Sequence, residues 1–341
     1  MIGSIPLETN SGVFVMKSRY IAAFICLIGL SASLAQANDP SDEDDLWAMD
    51  IEQLLKVQIT SASRFSESTL STPSSVSVIK RNDWEKRAAR RTSDAFQHLS
   101  GVMILPVPTG GNSIQVRGYG TGSVKGKATL LDDVPINSFV FGTDVFSVDN
   151  IELATLDRIE LVRGPSSTLY GSDAFHSAVS YKTWQPDSGK EQSQLSAGQN
   201  DYYHGSLQSS YTLSNDWLIG LSLSASQEGN QDSAFDYQSP TDGSINSAER
   251  ELTWDSQTAI IHLLQGTSED RGLSASLYYS GNDFDDFQGG GNASFPSFDR
   301  DRGGHDGQLG MARIGYQYPL AYDIGFEAKL YYWQMEHSQE V

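Results

Sequence analysis

The side chains that usually perform chemistry follow no catalytic spacing in this chain of 341 residues. Asp, His and Ser are abundant, but neither a Gly-x-Ser-x-Gly nucleophile motif nor a zinc-ligand spacing is present. The only cysteine, Cys26, lies in an apolar N-terminal segment, which excludes disulfides and thiol chemistry from the rest of the chain. We therefore expect a protein that is not an enzyme and that binds neither a cofactor nor a structural metal.

The acidic and aromatic segment between residues 282 and 306 is a candidate binding site. As an external loop, it could contact a ligand or hold Ca²⁺ through its carboxylates. A solvated loop is the favoured interpretation, because the spacing of the acidic residues fits no metal-binding template. The candidate ligand-contacting residues are Asp283, Asp285, Asp286, Phe287, Asp299 and His305.

The N-terminus predicts export. Lys17 and Arg19 precede a short apolar stretch that ends in a small-x-small cleavage site at residues 35–37. Residues 1–37 are thus predicted to be a cleavable signal peptide, with Met16 as the true start. The apolar stretch is too short for a stable transmembrane helix, so an uncleaved anchor is the less favoured alternative.

The formal net charge of -20 argues against nucleic acid as a partner, because phosphate binding needs a basic surface. One basic cluster stands out against this background. A nucleic-acid interface is the alternative there, but a solvated helical face is favoured because the protein is predicted to be exported. The cluster comprises Lys80, Arg81, Lys86, Arg87, Arg90 and Arg91.

Residues 38–63 predict a flexible leader in front of the first folded domain. Its first part is polar and acidic, which is typical of a solvated linker, and metal binding is the less favoured alternative. Near its end, apolar and polar residues alternate as they do in an extended strand. This predicted strand consists of Val57, Gln58, Ile59 and Thr60.

Residues 64–186 predict a compact α+β domain. Short alternating segments, such as those around Val78 and Ile159, indicate strands, and short helices are expected to begin at Asn82 and Ser93. A segment of this length is able to bury its own hydrophobic core.

Residues 187–341 predict about seven antiparallel strands. Over residues 217–226, apolar residues alternate with small or polar ones, so that one face of the strand is apolar. Short turns alternate with long loops over residues 228–251 and 281–307, a pattern typical of outer-membrane β-barrels. Aromatic residues near strand ends, including Trp333, fit the interfacial girdles of a barrel. A soluble β-sandwich or β-helix is the alternative.

Four motifs in this order and spacing resemble the plug domain of TonB-dependent outer-membrane receptors. One departure occurs at Phe175 and His176, where that family usually has small residues. The resemblance covers roughly residues 51–183. The motifs are PSSVSVI at residues 73–79, IQVRG at 114–118, LLDDVPI at 130–136 and LDRIELVRGPSSTLYGS at 156–172.

The resemblance implies a mainly β protein of the Gram-negative outer membrane, in which a small α+β plug fills an antiparallel barrel of about 22 strands. Such a receptor would take up a scarce nutrient, an iron-siderophore or a cobalamin-like ligand, when the TonB energy-transducing complex pulls on the leader. By position, the strand from Val57 to Thr60 would contact TonB by adding to the edge of a partner sheet. The expected partners are therefore TonB, outer-membrane lipid and a small chelate or cofactor ligand, and the receptor would be a monomer.

Two other hypotheses remain open. The first is an outer-membrane receptor that binds or signals without transporting. A signalling receptor of this family would carry a further folded domain before the leader strand, and residues 38–55 are too short for one. The second is a truncated, non-functional product, because seven strands cannot close a barrel around such a plug and the barrel is expected to be incomplete.

The plug motifs also imply roles for individual residues. The glycines are expected in tight turns, one of which a proline would fix. The charged residues Arg117, Glu160 and Arg163 would be costly to bury alone, so we expect paired contacts that lock the plug to the barrel, with surface salt bridges as the alternative. The full set is Arg117, Gly118, Asp132, Pro135, Glu160, Arg163, Gly164, Pro165, Tyr170 and Gly171.

Overall fold

The computed structural model describes residues 58–59, 67–68, 75–106, 112–118, 126–137, 148–186, 191–213, 216–229, 233–238, 243–250, 253–266, 272–285, 304–319 and 325–339. Several predictions fall outside these ranges. They concern the signal peptide, the leader residues Val57 and Thr60, and the loop candidates Asp286, Phe287 and Asp299.

Strands dominate the described residues, as predicted. In chain order they are β1 (Gln58–Ile59), β2 (Glu67–Ser68), β3 (Ser75–Lys80), β4 (Val102–Pro106), β5 (Asn112–Val116), β6 (Lys127–Leu131), β7 (Val134–Pro135), β8 (Leu156–Arg163), β9 (Ser177–Thr183), β10 (Gln192–Gly198), β11 (Tyr202–Thr212), β12 (Trp217–Glu228), β13 (Ser233–Gln238), β14 (Ile245–Arg250), β15 (Thr253–Gln265), β16 (Leu273–Asp285), β17 (Gly304–Pro319) and β18 (Gly325–Gln339).

The helices are short. Within the described ranges, no helix is long and apolar enough to cross a membrane. The α-helices are α1 (Arg81–Glu85) and α2 (Ser167–Tyr170), and the 3-10 helices are Thr92–Phe96, Val148–Asn150, Leu153–Thr155 and Ser172–Ala174.

The compact domain is built on a five-stranded sheet with the order β3-β8-β9-β6-β7. β6 runs parallel to β9, and the other neighbours are antiparallel. Every residue of β6 and β9 is buried, because both faces of the central strands are covered. This explains why KATLL and SAVSYKT lack the strict alternation of a half-exposed strand. β4 and β5 form a separate hairpin.

Large side chains from several elements fill the core of the compact domain. Phe96 and Tyr181 are buried and meet edge-to-face, with ring centroids 6.4 Å apart. Trp84 from α1 and Ile159 from β8 belong to the same cluster. Burial of aromatic surface on this scale supplies a large part of the driving force for folding.

The 3-10 helix Thr92–Phe96 follows Arg91 and does not begin at the predicted cap, Ser93. The carboxylate of Asp94 accepts hydrogen bonds from the backbone N–H groups of Arg90 and Arg91, both at 3.0 Å. It thereby satisfies donors that the start of a helix would otherwise leave free. This turn also fixes the direction of the two arginines.

Seven strands, β10, β11, β12, β15, β16, β17 and β18, form one antiparallel sheet that we call the wall. Each strand pairs with the next in that order. Within the described residues the wall is open, since β10 and β18 lie at opposite edges. The number and direction of the strands confirm the prediction.

The two faces of the wall differ in chemistry. On β12, Leu221 is 37% exposed on the outer face, whereas Ser222 and Ser224 on the inner face are 0% and 1% exposed. Leu277 of β16 and Leu330 of β18 are 58% and 73% exposed. The apolar outer face is what a lipid-facing surface requires.

Three details of the wall differ from the prediction. The predicted loop over residues 228–251 contains a hairpin of β13 and β14. β16 runs to Asp285 and β17 begins at Gly304, so both strands extend into the other predicted loop. Trp333 was placed in an outer girdle, but the strand alternation puts it beside Met311 on the inner face, where it packs against the core.

Candidate functional site

The compact domain packs against the inner face of the wall, and apolar side chains form one part of this contact. Ile260, Tyr278, Met311 and Trp333 form a cross-strand row over β15, β16, β17 and β18. They belong to, or pack against, the cluster that contains Phe96. The domain and the wall therefore share one hydrophobic core.

Hydroxyl-bearing side chains form the other part of the contact. Ser206, Ser224, Thr258 and Ser280 form a buried row over β11, β12, β15 and β16. These small side chains leave room for the backbone of the compact domain to approach the wall. Most of the first part of the wall is thus lined by small, uncharged polar groups.

Hydrogen bonds from uncharged side chains connect this hydroxyl-lined surface to the compact domain. Ser256 Oγ donates to Glu152 Oε2 at 2.9 Å, and Gln208 Nε2 donates to the backbone oxygen of Ala154 at 2.8 Å. Ser280 Oγ donates to the backbone oxygen of residue 150 at 3.1 Å. Each bond to a backbone oxygen contributes only about 1 kcal/mol net, because water replaces it when the surfaces separate, and the bond to the Glu152 carboxylate contributes about 1.5–3 kcal/mol.

Near the end of β12, two arginines of the compact domain hold one glutamate of the wall. Glu228 accepts from Arg90 Nη1 at 2.9 Å and from Arg91 Nη2 at 3.0 Å. The guanidinium carbons of Arg90 and Arg91 lie 4.3 Å and 5.1 Å from the ring centroids of Tyr202 and Trp254. We call Arg90, Arg91 and Glu228 the clamp. Its charge-assisted bonds are stronger than the neutral bonds further along the contact.

A buried carboxylate lies close to the clamp. Asp149 accepts from the backbone N–H of Ser93 and from Asn112 Nδ2, both at 2.8 Å. Burial raises the pKa of Asp149, although these bonds and the charge of Arg91 act against the rise. Because Ser93 is in a 3-10 helix and Asn112 opens β5, Asp149 joins three separate segments of the domain.

At another point of the contact, the turn after β6 approaches β15. Asp132 accepts from the backbone N–H of Thr183 at 2.9 Å and from its hydroxyl at 2.6 Å. The same hydroxyl lies 3.3 Å from Nε2 of His262, which faces inward from β15. Thr183 therefore links a turn of the domain to the wall.

The next residue of that turn carries an ion pair to the last strand of the wall. Asp133 is paired with Lys182 and, at 3.4 Å, with Lys329 of β18. Burial alone would raise the pKa of Asp133. The positive charges of Lys182, Lys329 and Arg313 outweigh that effect and hold the pKa well below its ordinary value.

A family model described as "TonB-dependent Receptor Plug Domain" matches residues 68–178. The chain carries the plug domain of TonB-dependent receptors. The matched residues lie inside the compact domain predicted for 64–186, which is called the plug from here on.

Individual relatives agree with this assignment. The chain is 31% identical over 144 residues to the iron-regulated outer membrane virulence protein of Vibrio cholerae, covering 40% of this chain and 21% of that protein. It is 24% identical over 237 residues to the hemin receptor of Yersinia pestis, covering 67% and 34%. The chain thus matches between a fifth and a third of the length of these two relatives.

A solved structure supports the fold. The siderophore receptor PiuA of Acinetobacter baumannii superposes with a TM-score of 0.59 at 17% sequence identity, over 83% of this chain and 39% of that one. At this identity the likeness shows the fold, namely a plug followed by antiparallel barrel strands.

The plug motifs mark turns in the structure. Gly118, Gly164 and Gly171 have φ values of 72°, 131° and 81°, which side-chain-bearing residues rarely adopt. Arg117 and Asp132 also have positive φ values, at 57° and 46°. The other motif residues lie nearby, with Pro135 in β7, Pro165 directly after Gly164 and Tyr170 at the end of α2.

The three charged motif residues make their described contacts inside the plug. Glu160 is buried and accepts from Arg158 Nε at 2.8 Å, and Arg163 Nη1 donates to Ser77 Oγ at 2.7 Å. Arg117 is exposed, and its charge adds to the effect of burial in lowering the pKa of Arg163. Plug-to-wall bonds among the described residues include those of the clamp, Glu152, Asp133 and Arg81, and a locking role of the three motif residues stays a prediction.

The basic cluster is not uniformly solvated, which corrects the sequence-based prediction. Arg81 Nη2 donates to the backbone oxygen of Ala154 at 3.0 Å, and Nη1 donates to Gln192 Oε1 of β10 at 3.1 Å. Arg90 and Arg91 form the clamp. No local pattern distinguishes these three arginines, because their partners lie far away along the chain.

The predicted ligand loop is shorter than expected. Asp283 and Asp285 lie in β16 and His305 lies in β17, where Asp283 pairs with Asp306 in the strand register. Within the described part of the chain, no group of three or more His, Cys, Asp or Glu side chains could hold a metal ion. Ligand contact by these residues stays a prediction.

The predicted TonB-contacting strand is described only at its centre. Gln58–Ile59 pairs antiparallel with Glu67–Ser68. This extended backbone is the conformation that strand addition would need.

Gly126 makes room for the unusual bulky residues after α2. The His176 N–H donates to the Gly126 carbonyl at 3.0 Å, and a Cβ on Gly126 would lie 3.0 Å from the His176 ring. Phe175 points outward and is 64% exposed. The bulky pair is thus accommodated by a glycine on the neighbouring segment.

Proposed function

We propose that this chain is the plug-bearing part of a TonB-dependent active-transport receptor of the outer membrane. Its ligand would be a scarce nutrient of the iron-siderophore, hemin or cobalamin class. The observation that carries the proposal is a plug domain seated on the inner face of an antiparallel wall whose outer face is apolar.

The chemistry of the contact suits a plug that has to move. Many of its ties are hydrogen bonds and ion pairs, such as Ser256 with Glu152 and Glu228 with Arg90. Polar bonds exchange with water at modest cost, whereas a wholly apolar contact would resist separation. A polar contact therefore supports transport over a permanently closed structural seal.

The names of related proteins support the ligand class. One relative is called a hemin receptor, and one solved structure is a siderophore receptor. On this basis ferric chelates are the first ligands to test, with hemin next and cobalamin as a further member of the class. TonB would act on the leader strand around Gln58–Ile59.

The test is uptake by cells that lack this gene and carry the full reading frame on a plasmid. Radiolabelled ferric siderophores, hemin and cobalamin are offered at limiting concentration, with and without a functional TonB system. We expect accumulation of one ligand that requires both the gene and TonB. Binding without TonB-dependent accumulation would support the non-transporting receptor, and neither binding nor accumulation of any ligand would overturn the proposal.

A further inference from the structure

The inner face of the wall is divided into two regions of different chemistry. The hydroxyl region is centred on the row of Ser206, Ser224 and Thr258, flanked by Gln208 and Ser256. The apolar region on the later strands consists of Ile260, Tyr278, Leu309, Met311, Trp333 and Met335. The plug touches both regions.

These two regions would separate from the plug at very different cost. Parting the apolar region exposes a hydrophobic core to water, which is strongly unfavourable. Parting the hydroxyl region exchanges hydrogen bonds between plug and wall for bonds to water, which costs much less. The plug is therefore pinned on the side of β17 and β18 and detachable on the side of β11 and β12.

The hydroxyl region also offers a group for a polar solute. Gln208 is 2% exposed and uses its amide nitrogen to bind the Ala154 carbonyl. Its buried side-chain oxygen has no hydrogen-bond partner among the described residues. Buried polar atoms normally find a partner, so this oxygen favours water or a hydrogen-bonding ligand in the seam.

We propose that the seam between the plug and the hydroxyl region is the path of the ligand through the receptor, and that the clamp holds this seam shut. The inference rests on the proposed function for the identity of the solute, a polar chelate rich in hydrogen-bonding groups. The location of the path follows from the chemistry of the inner face of the wall alone.

The position of the clamp fits this role. Glu228 ends β12, beside the buried seam residues Ser226 and Ser224, and a small cleft between plug and wall is lined by the clamp, Glu152 and Ser226. The clamp supplies the ion pairs of the hydroxyl region, whereas the bonds that Gln208 and Ser256 make there come from uncharged side chains. Loss of the clamp should therefore loosen this side selectively.

The test uses two buried reporter cysteines in the full-length receptor in intact cells. Ser224→Cys reports on the hydroxyl region and Met311→Cys on the apolar region. The only native cysteine, Cys26, lies in the predicted signal peptide. A membrane-impermeant maleimide is added without ligand and without energy, and the labelling rates are compared in the native, Glu228→Gln and Lys329→Gln backgrounds.

We expect Glu228→Gln to speed labelling of Ser224→Cys by about tenfold, the change that losing one charge-assisted bond brings to a local opening equilibrium. Labelling of Met311→Cys should change less than about twofold, because the apolar region stays closed. Lys329→Gln is the matched control, since it removes a plug-to-wall ion pair on the apolar side, and it should not affect the Ser224→Cys rate.

A second variant guards against misfolding. Arg90→Gln combined with Arg91→Gln breaks the clamp from the plug side and should reproduce the effect of Glu228→Gln. Equal acceleration at both reporters, or faster labelling at Met311→Cys, overturns the proposal that the seam is the ligand path, even if uptake is normal. Selective acceleration at Ser224→Cys in a receptor that accumulates no ligand supports the clamp as what holds the seam shut and overturns the proposed function. The two failures are therefore distinguishable.

Discussion

Glu228 and Asp133 are both carboxylates held by two cations, but water reaches them to different extents. The side chain of Glu228 is 10% exposed and that of Asp133 is 34% exposed. Solvent screens exposed ion pairs until they contribute little, whereas removing one partner of a buried pair leaves an uncompensated charge. At the scale of single residues, we therefore expect substitution of Glu228 to matter more for stability than substitution of Asp133.

Asp133→Asn should destabilise the protein at neutral pH and have a smaller effect in acid. The folded-state pKa of Asp133 is depressed, because three positive charges outweigh the opposing effect of burial. The ionised carboxylate therefore stabilises the fold above its ordinary pKa of about 3.9, and this contribution is lost as the pH falls through the folded-state pKa. Melting temperatures in detergent, measured from pH 7 to about pH 2, should stay apart down to about pH 4 and draw together below it for wild type and variant. A gap that widens in acid contradicts the prediction.

Gly126→Ala should destabilise more than Gly118→Ala, although both glycines have positive φ values, of 119° and 72°. Open space surrounds a Cβ at Gly118, so strain of the backbone alone costs about 1–2 kcal/mol. At Gly126 the new methyl group also meets the His176 ring at 3.0 Å, which adds roughly 1–3 kcal/mol of overpacking. Chemical unfolding of both variants checks this. Adding His176→Ala to Gly126→Ala should remove the overpacking part of the difference, measured against His176→Ala alone.

At the scale of elements, strands with strict alternation were predictable and their ends were not. The alternation over residues 217–226 predicts a strand, and β12 spans Trp217–Glu228, which is two residues longer. β16 and β17 continue as a polar ladder into a predicted loop, where composition indicates no strand. Trp333 was misplaced because an aromatic residue suits a girdle and a core equally well.

The long-range contacts could not be predicted from the sequence, for a different reason. Arg90 and Glu228 are 138 residues apart, and no local pattern encodes which carboxylate an arginine will meet. The turn glycines of the plug motifs were identifiable because a tight turn is a local requirement. The clamp could be identified only from the fold, which brings its residues together.

The wall strands allow a test of membrane depth. Leu277→Arg places a charge on the outer face in the middle of β16 and should cost about 2–4 kcal/mol if that face meets lipid. Asp283→Arg is the matched control on the same strand and face, about 20 Å nearer the strand end, where the cost should be about 0–1 kcal/mol. Folding into lipid vesicles, titrated with urea, measures both. Equal costs would argue against a lipid-facing wall.

The leader strand allows a separate test. Ile59→Pro removes a backbone donor and restricts the chain, so it should abolish TonB-dependent uptake while leaving ligand binding to cells unchanged. Ile59→Ala keeps the backbone donor and should retain most of the uptake. If the proline variant transports normally, the TonB contact lies elsewhere in the leader.

At the scale of the whole molecule, the exported protein should begin at Asn38 and sediment with the outer membrane. This follows from the cleavage site at residues 35–37 and from the apolar outer face of the wall. N-terminal sequencing of the purified membrane fraction checks the first point, and density-gradient fractionation checks the second. Recovery in the inner membrane with residues 16–37 retained would show an uncleaved anchor instead.

The hydrophobic core that plug and wall share has a consequence for biogenesis. Ile260 and Met311 complete a cluster that begins with Ile79, so the plug gains its full interior only after more than two hundred further residues have arrived. The boundary between the two regions in sequence is therefore not a boundary between independently folding units. During its passage through the periplasm, an exported chain of this kind would display unfinished apolar surface, and periplasmic chaperones would have to shield it until the wall is in the membrane.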